Sequence, residues 1–212
     1  MPKIAESTRS ARREQILTAA LACFAHTGYH ATTMGDVAAR AGLSKGTPYL
    51  YFASKENLYV ALHDAWDCAL ADRVDTEVAH LPAAERGSPR RVLRAVVVAI
   101  GAHVAEQEQT CRVLMEARTL AGYHPTIAAA VHAADARARE PLERLIHAGI
   151  QAGQWPPDTD PGLAARLITA TLHGLMAQWH LAPGSFSWTE AAGAIATDAQ
   201  PDARYPMTDH DG

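Results

Sequence analysis

Apolar residues in this chain recur at steps of three and four, and their runs are closed by glycine or proline and reopened by serine, threonine or aspartate. Such spacing is the period of a helix with one buried face, and the short polar residues are those whose side chains accept from the free N–H groups of a first turn. A half-buried strand would alternate at every second residue, and long β-branched runs are nearly absent apart from Val96-Val97-Val98. Alanine occupies 44 of the 212 positions while Phe, Tyr and Trp together make up 6%, so the expected fold class is all-α.

The punctuation predicts individual elements. Ile16, Leu17, Ala20, Leu21 and Phe24 share one face of a helix that Gly28 ends. Thr33 and Asp36 form a capping-box variant ahead of Val37, Ala38 and Ala41, and that second helix stops at Gly42. Ser44 can cap a short third helix carrying Tyr49, Leu50, Tyr51 and Phe52, unless Thr47 is its N-cap and Pro48 its first residue, which would shorten and tilt it. Ser54 caps a fourth helix running toward Pro82, and Ser88-Pro89 opens a fifth with Val92, Val96, Val97, Ile100 and Val104 on its face. Thr110 to Ala121 reads as one short helix, and His124-Pro125 opens a long segment in which Pro141 predicts a kink or a division. Asp160-Pro161 begins a helix ending before Pro183-Gly184, and Ser187 to Glu190 is a capping box for the last one. Residues 200–212 read as a polar, disordered tail.

Charge divides the chain unevenly. Residues 1–55 hold seven Lys or Arg against three Asp or Glu, whereas the whole protein carries a net charge of −4. Either a polyanion-binding module is joined to a body that repels polyanions, or the excess is ordinary surface variation. Cys23, Cys68 and Cys111 form no CxxC pair, which suits a reducing cytoplasm and offers no disulfide framework. The uncharged stretch 167–189 is interrupted by His173, Gln178 and His180 and broken at Pro183-Gly184, so a buried or subunit-facing helix is expected there and no membrane span. Eleven histidines lack metal-ligand spacing, and no GxSxG, phosphate loop or Cys-His pair marks a catalytic centre. No metal, cofactor or catalytic residue is therefore expected.

Three helices in about 45 residues, the last two joined by a glycine turn, form a helix-turn-helix that presents its third helix to a major groove. The ordered run Gly28-Tyr29, Thr32-Thr33, Asp36-Val37-Ala38, Ala41-Gly42-Leu43-Ser44-Lys45-Gly46, Tyr49-x-Tyr51-Phe52 and Lys55-Glu56-x-Leu58 closely resembles the N-terminal domain of the tetracycline-repressor (TetR) family. The resemblance is strong over residues 10–60 and extends beyond them in helical layout and in the pattern from Asp160-Pro161 to Trp179. It implies a homodimer with a DNA-reading domain over residues 1–55, a flexible arm over residues 1–9, and a ligand-binding and dimerisation domain over residues 56–199. The partners implied are double-stranded DNA carrying a palindromic operator and a small-molecule effector. At the DNA it implies Ser44, Lys45, Gly46, Thr47, Tyr49 and Tyr51, with Lys45 and Gly46 offering an ammonium and free N–H groups to a phosphate. Thr47 and Tyr49 face the groove or its wall. Lys55 can hold the DNA backbone, Thr33 either caps its helix or also meets a phosphate, Tyr51 is either half-buried or a DNA contact, and Arg9, Arg12 and Arg13 reach flanking phosphates.

In the C-terminal body the candidate ligand lining is Val97, Ile100, Val104, Met115, Glu116, Arg118, Tyr123, Trp155, His173 and Trp179, although the same apolar stripes serve any helical core. Leu167, Thr171, Leu175 and Trp179 form a stripe beside the small residues Ala170, Gly174 and Ala177; with Trp188 these are the candidate dimer interface. A symmetric pair places two recognition helices about 34–36 Å apart, one turn of DNA. Two other functions stay open: a sensor acting through protein contacts with weakened DNA binding, and a helical enzyme.

Overall fold

The computed structural model describes residues 2–198, so the expected disordered tail lies outside the described residues. All regular structure among them is helical: α1 Pro2–Ala31, α2 Met34–Arg40, a 3-10 turn Thr47–Leu50, α3 Lys55–His80, α4 Ala83–Arg86, α5 Pro89–Glu106, α6 Glu108–Met115, α7 Ala117–Ala121, α8 Pro125–Gln151, α9 Pro161–Leu181 and α10 Trp188–Asp198. No described helix is long and apolar enough to cross a membrane.

The chain forms two compact units, one from Met1–Ala71 with Val104–Asp135 and the other from Asp72–His103 with Ala136–Gly212. Residue 55, where the DNA-reading domain is expected to end, lies within the first unit: α3 begins there, and its buried face is Leu58, Tyr59, Ala61, Leu62 and Trp66.

In the first unit, Ile16, Ala20 and Phe24 of α1 are buried as their spacing predicts. Phe24, Tyr29 and Tyr59 pack ring against ring, with centroids 5.2–5.7 Å apart. Gly28 breaks α1 with φ 80, a value that L side chains rarely adopt. Residues 2–9, within the expected N-terminal arm, are the start of α1, whose first residue is Pro2: a proline at N1 is pre-set for a helix, and no glycine interrupts residues 3–13. Thr110 to Ala121 is two helices rather than one. Tyr59 Oη donates at 2.6 Å to the carbonyl of Val113, the group that Ala117 N–H would use in an unbroken helix.

In the second unit, Gln154 Oε1 accepts from Ser88 Oγ at 3.1 Å and from Arg90 N–H at 3.0 Å, closing the start of α5. Asp160 caps α9 by accepting from Gly162 N–H and Leu163 N–H. Trp155 lies where a Cβ on Gly149 would be, and Trp188 where one on Gly101 would be, so both glycines admit an indole. Pro141 does not divide α8. Both Pro141 and Arg137, four residues before it, are exposed, so water can reach the carbonyl to which Pro141 has no N–H to offer.

Candidate nucleic-acid interface

The interface is built from the caps of α2 outward. Thr33 Oγ1 accepts from Asp36 N–H at 3.2 Å, and the Asp36 carboxylate accepts from Thr33 N–H at 2.8 Å and from its hydroxyl at 2.7 Å, a complete capping box. Hydrogen bonds from the Thr33 hydroxyl and backbone hold the Asp36 carboxyl below its ordinary range. With its proton already given to Asp36, Thr33 acts as a cap.

At the other end of α2, Leu43 N–H reaches Ala38 O at 2.9 Å and Gly42 N–H reaches Ala39 O at 3.1 Å. This is a Schellman closure around Gly42, whose φ is 67. Gln15 Nε2 donates to Ala41 O at 2.6 Å and fixes the turn against α1.

After the turn the expected third helix is only the 3-10 turn Thr47–Leu50. Its N-cap is Gly46, not Ser44 or Thr47, and no side chain caps it. Pro48 explains the contraction. It has no N–H to give to the Ser44 carbonyl, so Thr47 N–H takes that carbonyl at 2.9 Å, and Pro48's own carbonyl accepts from Tyr51 and Phe52 N–H. Ser44 Oγ and Thr47 Oγ1 lie 2.7 Å apart and share a hydrogen bond.

This contraction sorts the side chains. Pro48 and Phe52 are buried and Tyr51 is half-buried, while Lys45, Gly46, Tyr49 and Leu50 face solvent. Tyr49 is 55% exposed and Leu50 75%, so two large side chains consecutive in sequence stand in water. The sequence places Leu50 on one short helix with Tyr49, Tyr51 and Phe52; its outward register becomes legible only once the tight turn at Pro48 is known.

The Lys45 stem lies beside Gly35 in the first turn of α2, close to the Thr33 cap. The Arg13 guanidinium stacks 5.3 Å from the Phe52 ring centre, and Arg12 Nη1 donates to Gln15 Oε1 at 2.7 Å, placing both arginines on the α1 side of the turn.

Lys55 is a correction. Its ammonium donates to the carbonyls of Tyr29 at 2.7 Å, Thr32 at 2.9 Å and His30 at 3.3 Å, and lies 4.4 Å from the Tyr29 ring centre. All three N–H groups are engaged, so it secures the chain after Gly28 rather than holding DNA. Burial pulls its pKa down, against the opposing pull of Glu56.

The ten candidate ligand residues are distributed over the two units. Val97 and Trp155 are buried in the second unit, with Ile100 9% exposed there, and Val104 is buried in the first. Arg118 is paired with Asp135 at 2.7 Å, and Tyr123 is 78% exposed. Met115, Glu116, His173 and Trp179 are half-buried. Neither of two open clefts in the second unit, one on α8 and one at the start of α5, is lined by any of these ten side chains. Of the ten, Val97, Ile100, Val104 and Trp155 are core, as apolar stripes are in any helical bundle.

Along α9, Leu163 and Leu167 are more than half exposed, and Ala170, Thr171 and Gly174 also face solvent. Leu175, Ala177 and Trp179 are half-buried. Trp188 is a second correction: it is buried within its own chain, against Gly101 and the rings of Trp179 and Phe186.

A glycine-closed helix pair that presents an ammonium, a phenol and an apolar side chain defines the class of protein: a helix-turn-helix DNA-binding transcriptional regulator. Residues 16–62 match the profile of bacterial regulatory proteins of the tetR family, and residues 89–199 match that of the BetI-type transcriptional repressor C-terminal domain. The chain belongs to the tetR family. It is 27% identical over 187 residues to the HTH-type transcriptional regulator AcrR of Shigella flexneri, covering 85% of this chain and 83% of that one. Its fold is similar to that of the fatty acid degradation regulator FadR of Bacillus halodurans, with a TM-score of 0.77 at 20% identity over 92% of this chain and 97% of that one. It is also similar to that of FadR of Bacillus subtilis in complex with stearoyl-CoA, with a TM-score of 0.74 at 20% identity over 88% and 96%.

Proposed function

We infer that the protein is a homodimeric repressor that holds a palindromic operator and releases it when a small molecule binds its C-terminal part. The observation that carries the DNA half is the exposed turn Lys45–Leu50, braced from beneath by the buried Pro48 and Phe52. Lys45 and the free N–H groups near Gly46 meet phosphate, and Tyr49 and Thr47 meet the groove. The uncharged face of α9 supports pairing, since Leu163, Leu167 and Gly174 would otherwise stay in water. A two-fold dimer then meets a two-fold site.

The match to a repressor C-terminal domain supports repression, and the acyl-CoA complex of the Bacillus subtilis neighbour supports a small-molecule effector. Regulation proceeds by binding alone, without catalysis, in the cytoplasm where the operator lies. The test is protection of the DNA upstream of the protein's own coding region. Symmetric protection over two half-sites, lost when candidate effectors are added, is expected. Protein that sediments as a monomer and protects no DNA would overturn the reading.

A further inference from the structure

The second unit contains a cleft of about 410 Å³, within the size range of small-molecule sites, between the end of α3, the start of α5 and the end of α10. Leu81, Ala95, Val98 and Ala196 give it an apolar lining. Arginines from the first turns of α5 line it as well, one turn before Ala95 and Val98 on the same helix. Arg91 is already neutralised by Glu85 at 3.2 Å. Arg90 and Arg94, one turn apart on the same face, have no carboxylate partner among the described residues. The Nε–H of Arg90 is buried without an acceptor, although the guanidinium is held 5.7 Å from the Trp155 ring centre. A buried donor with no acceptor is costly, and a ligand oxygen would satisfy it.

Among the described lining residues Glu77 is the remaining carboxylate, so two unneutralised guanidiniums stand with one unneutralised acid. The surplus is a single positive charge, which suits a monoanion. Guanidinium forks match carboxylate geometry, and the apolar lining gives the rest of such a molecule a place out of water.

We propose that this cleft binds a small organic monocarboxylate with an apolar tail, its head held by Arg90 and Arg94 and its tail laid along Leu81, Val98 and Ala196. None of these residues belongs to the ligand lining expected from the sequence. As an effector site the cleft rests on the reading above; as a binding site it stands alone.

Octanoate, titrated into the full-length protein and followed by calorimetry, is the probe. Saturable binding of one molecule per chain is expected, tightening about fourfold for each methylene added from hexanoate to octanoate. Octan-1-ol and octyltrimethylammonium should bind at least tenfold more weakly. Arg94 is exposed and can be changed without disturbing the contact between Arg90 and Trp155. Arg94→Gln should therefore weaken octanoate at least tenfold while leaving the thermal midpoint unchanged, and Arg94→Lys should fall between. Absence of octanoate binding, equal binding to Arg94→Gln, or equal binding of the ammonium would overturn the site. Octanoate bound in this manner with operator affinity unchanged would support the site and assign the effector role elsewhere.

Discussion

The Lys55 ammonium stands 2.7 Å from the carbonyl oxygen of Tyr29, immediately after the positive-φ break at Gly28. Two lysines of the N-terminal unit that look alike in sequence therefore do different work. Lys45 is exposed at the turn between α2 and α3, and Lys55 closes the end of α1.

Lys45→Ala should weaken binding to every DNA sequence and lower the salt slope by about one unit, with no change in the thermal midpoint. Lys55→Met should do the reverse. Loss of charge-assisted hydrogen bonds costs about 2 kcal/mol, a drop of roughly 4–8 °C for a chain of this size. Salt-dependent gel shifts and calorimetry on both variants check the assignment, and a lower salt slope for Lys55→Met at unchanged stability would reverse it.

Tyr49 and Leu50 present apolar surface at the reading turn, and the thymine methyl is the apolar group on the major-groove edge. Each change to alanine should cost about 1–3 kcal/mol of operator affinity. Replacing operator thymines by deoxyuridine should cost wild type a similar amount and the alanine variant much less. Equal losses in both proteins would show that neither side chain reads a methyl.

Gly174 is exposed and has open space beside it, so Gly174→Trp fits the single chain. It should still lower the dimer fraction and abolish operator binding. A variant that sediments as a dimer at micromolar concentration and still binds DNA would place the subunit contact elsewhere.

Asp36 supplies a pH dependence of known sign. Its folded pKa is depressed by the Thr33 hydrogen bonds, so its contribution is present above the ordinary carboxylate value near 4 and is lost as pH falls toward the folded value. Asp36→Asn should flatten the acid limb of the stability curve. Thr33→Ala should cost about 1 kcal/mol at neutral pH and remove the same dependence. Urea midpoints between pH 3 and 7 test both.

Gly149→Ala would drive a Cβ into the Trp155 ring and should destabilise by about 1–3 kcal/mol. Gly193→Ala, within α10 and with open space beside it, should be neutral or stabilising by up to about 1 kcal/mol. Comparable thermal midpoints for the two variants would refute the packing argument.

The all-α class, the capping box at Thr33, the Ser187 hydroxyl accepting from Glu190 N–H, the N-cap of α9 and the glycine turn at Gly42 were all legible in the sequence. Each depends on residues within one turn of one another, and local hydrogen bonding decides them whatever packs above. The family was legible for the same reason, because its signature lies in one contiguous run. What only the tertiary structure decided involves partners far apart in the chain. Tyr59 reaches the Val113 carbonyl at the break between α6 and α7, Lys55 meets carbonyls more than twenty residues away, and Trp155 and Trp188 occupy the space left by Gly149 and Gly101. Apolar periodicity says which face of a helix leaves water, but not whether it meets its own core, a ligand or a second subunit. Val97 and Trp188 therefore proved to be core, while Leu167 and Gly174 remain exposed on α9.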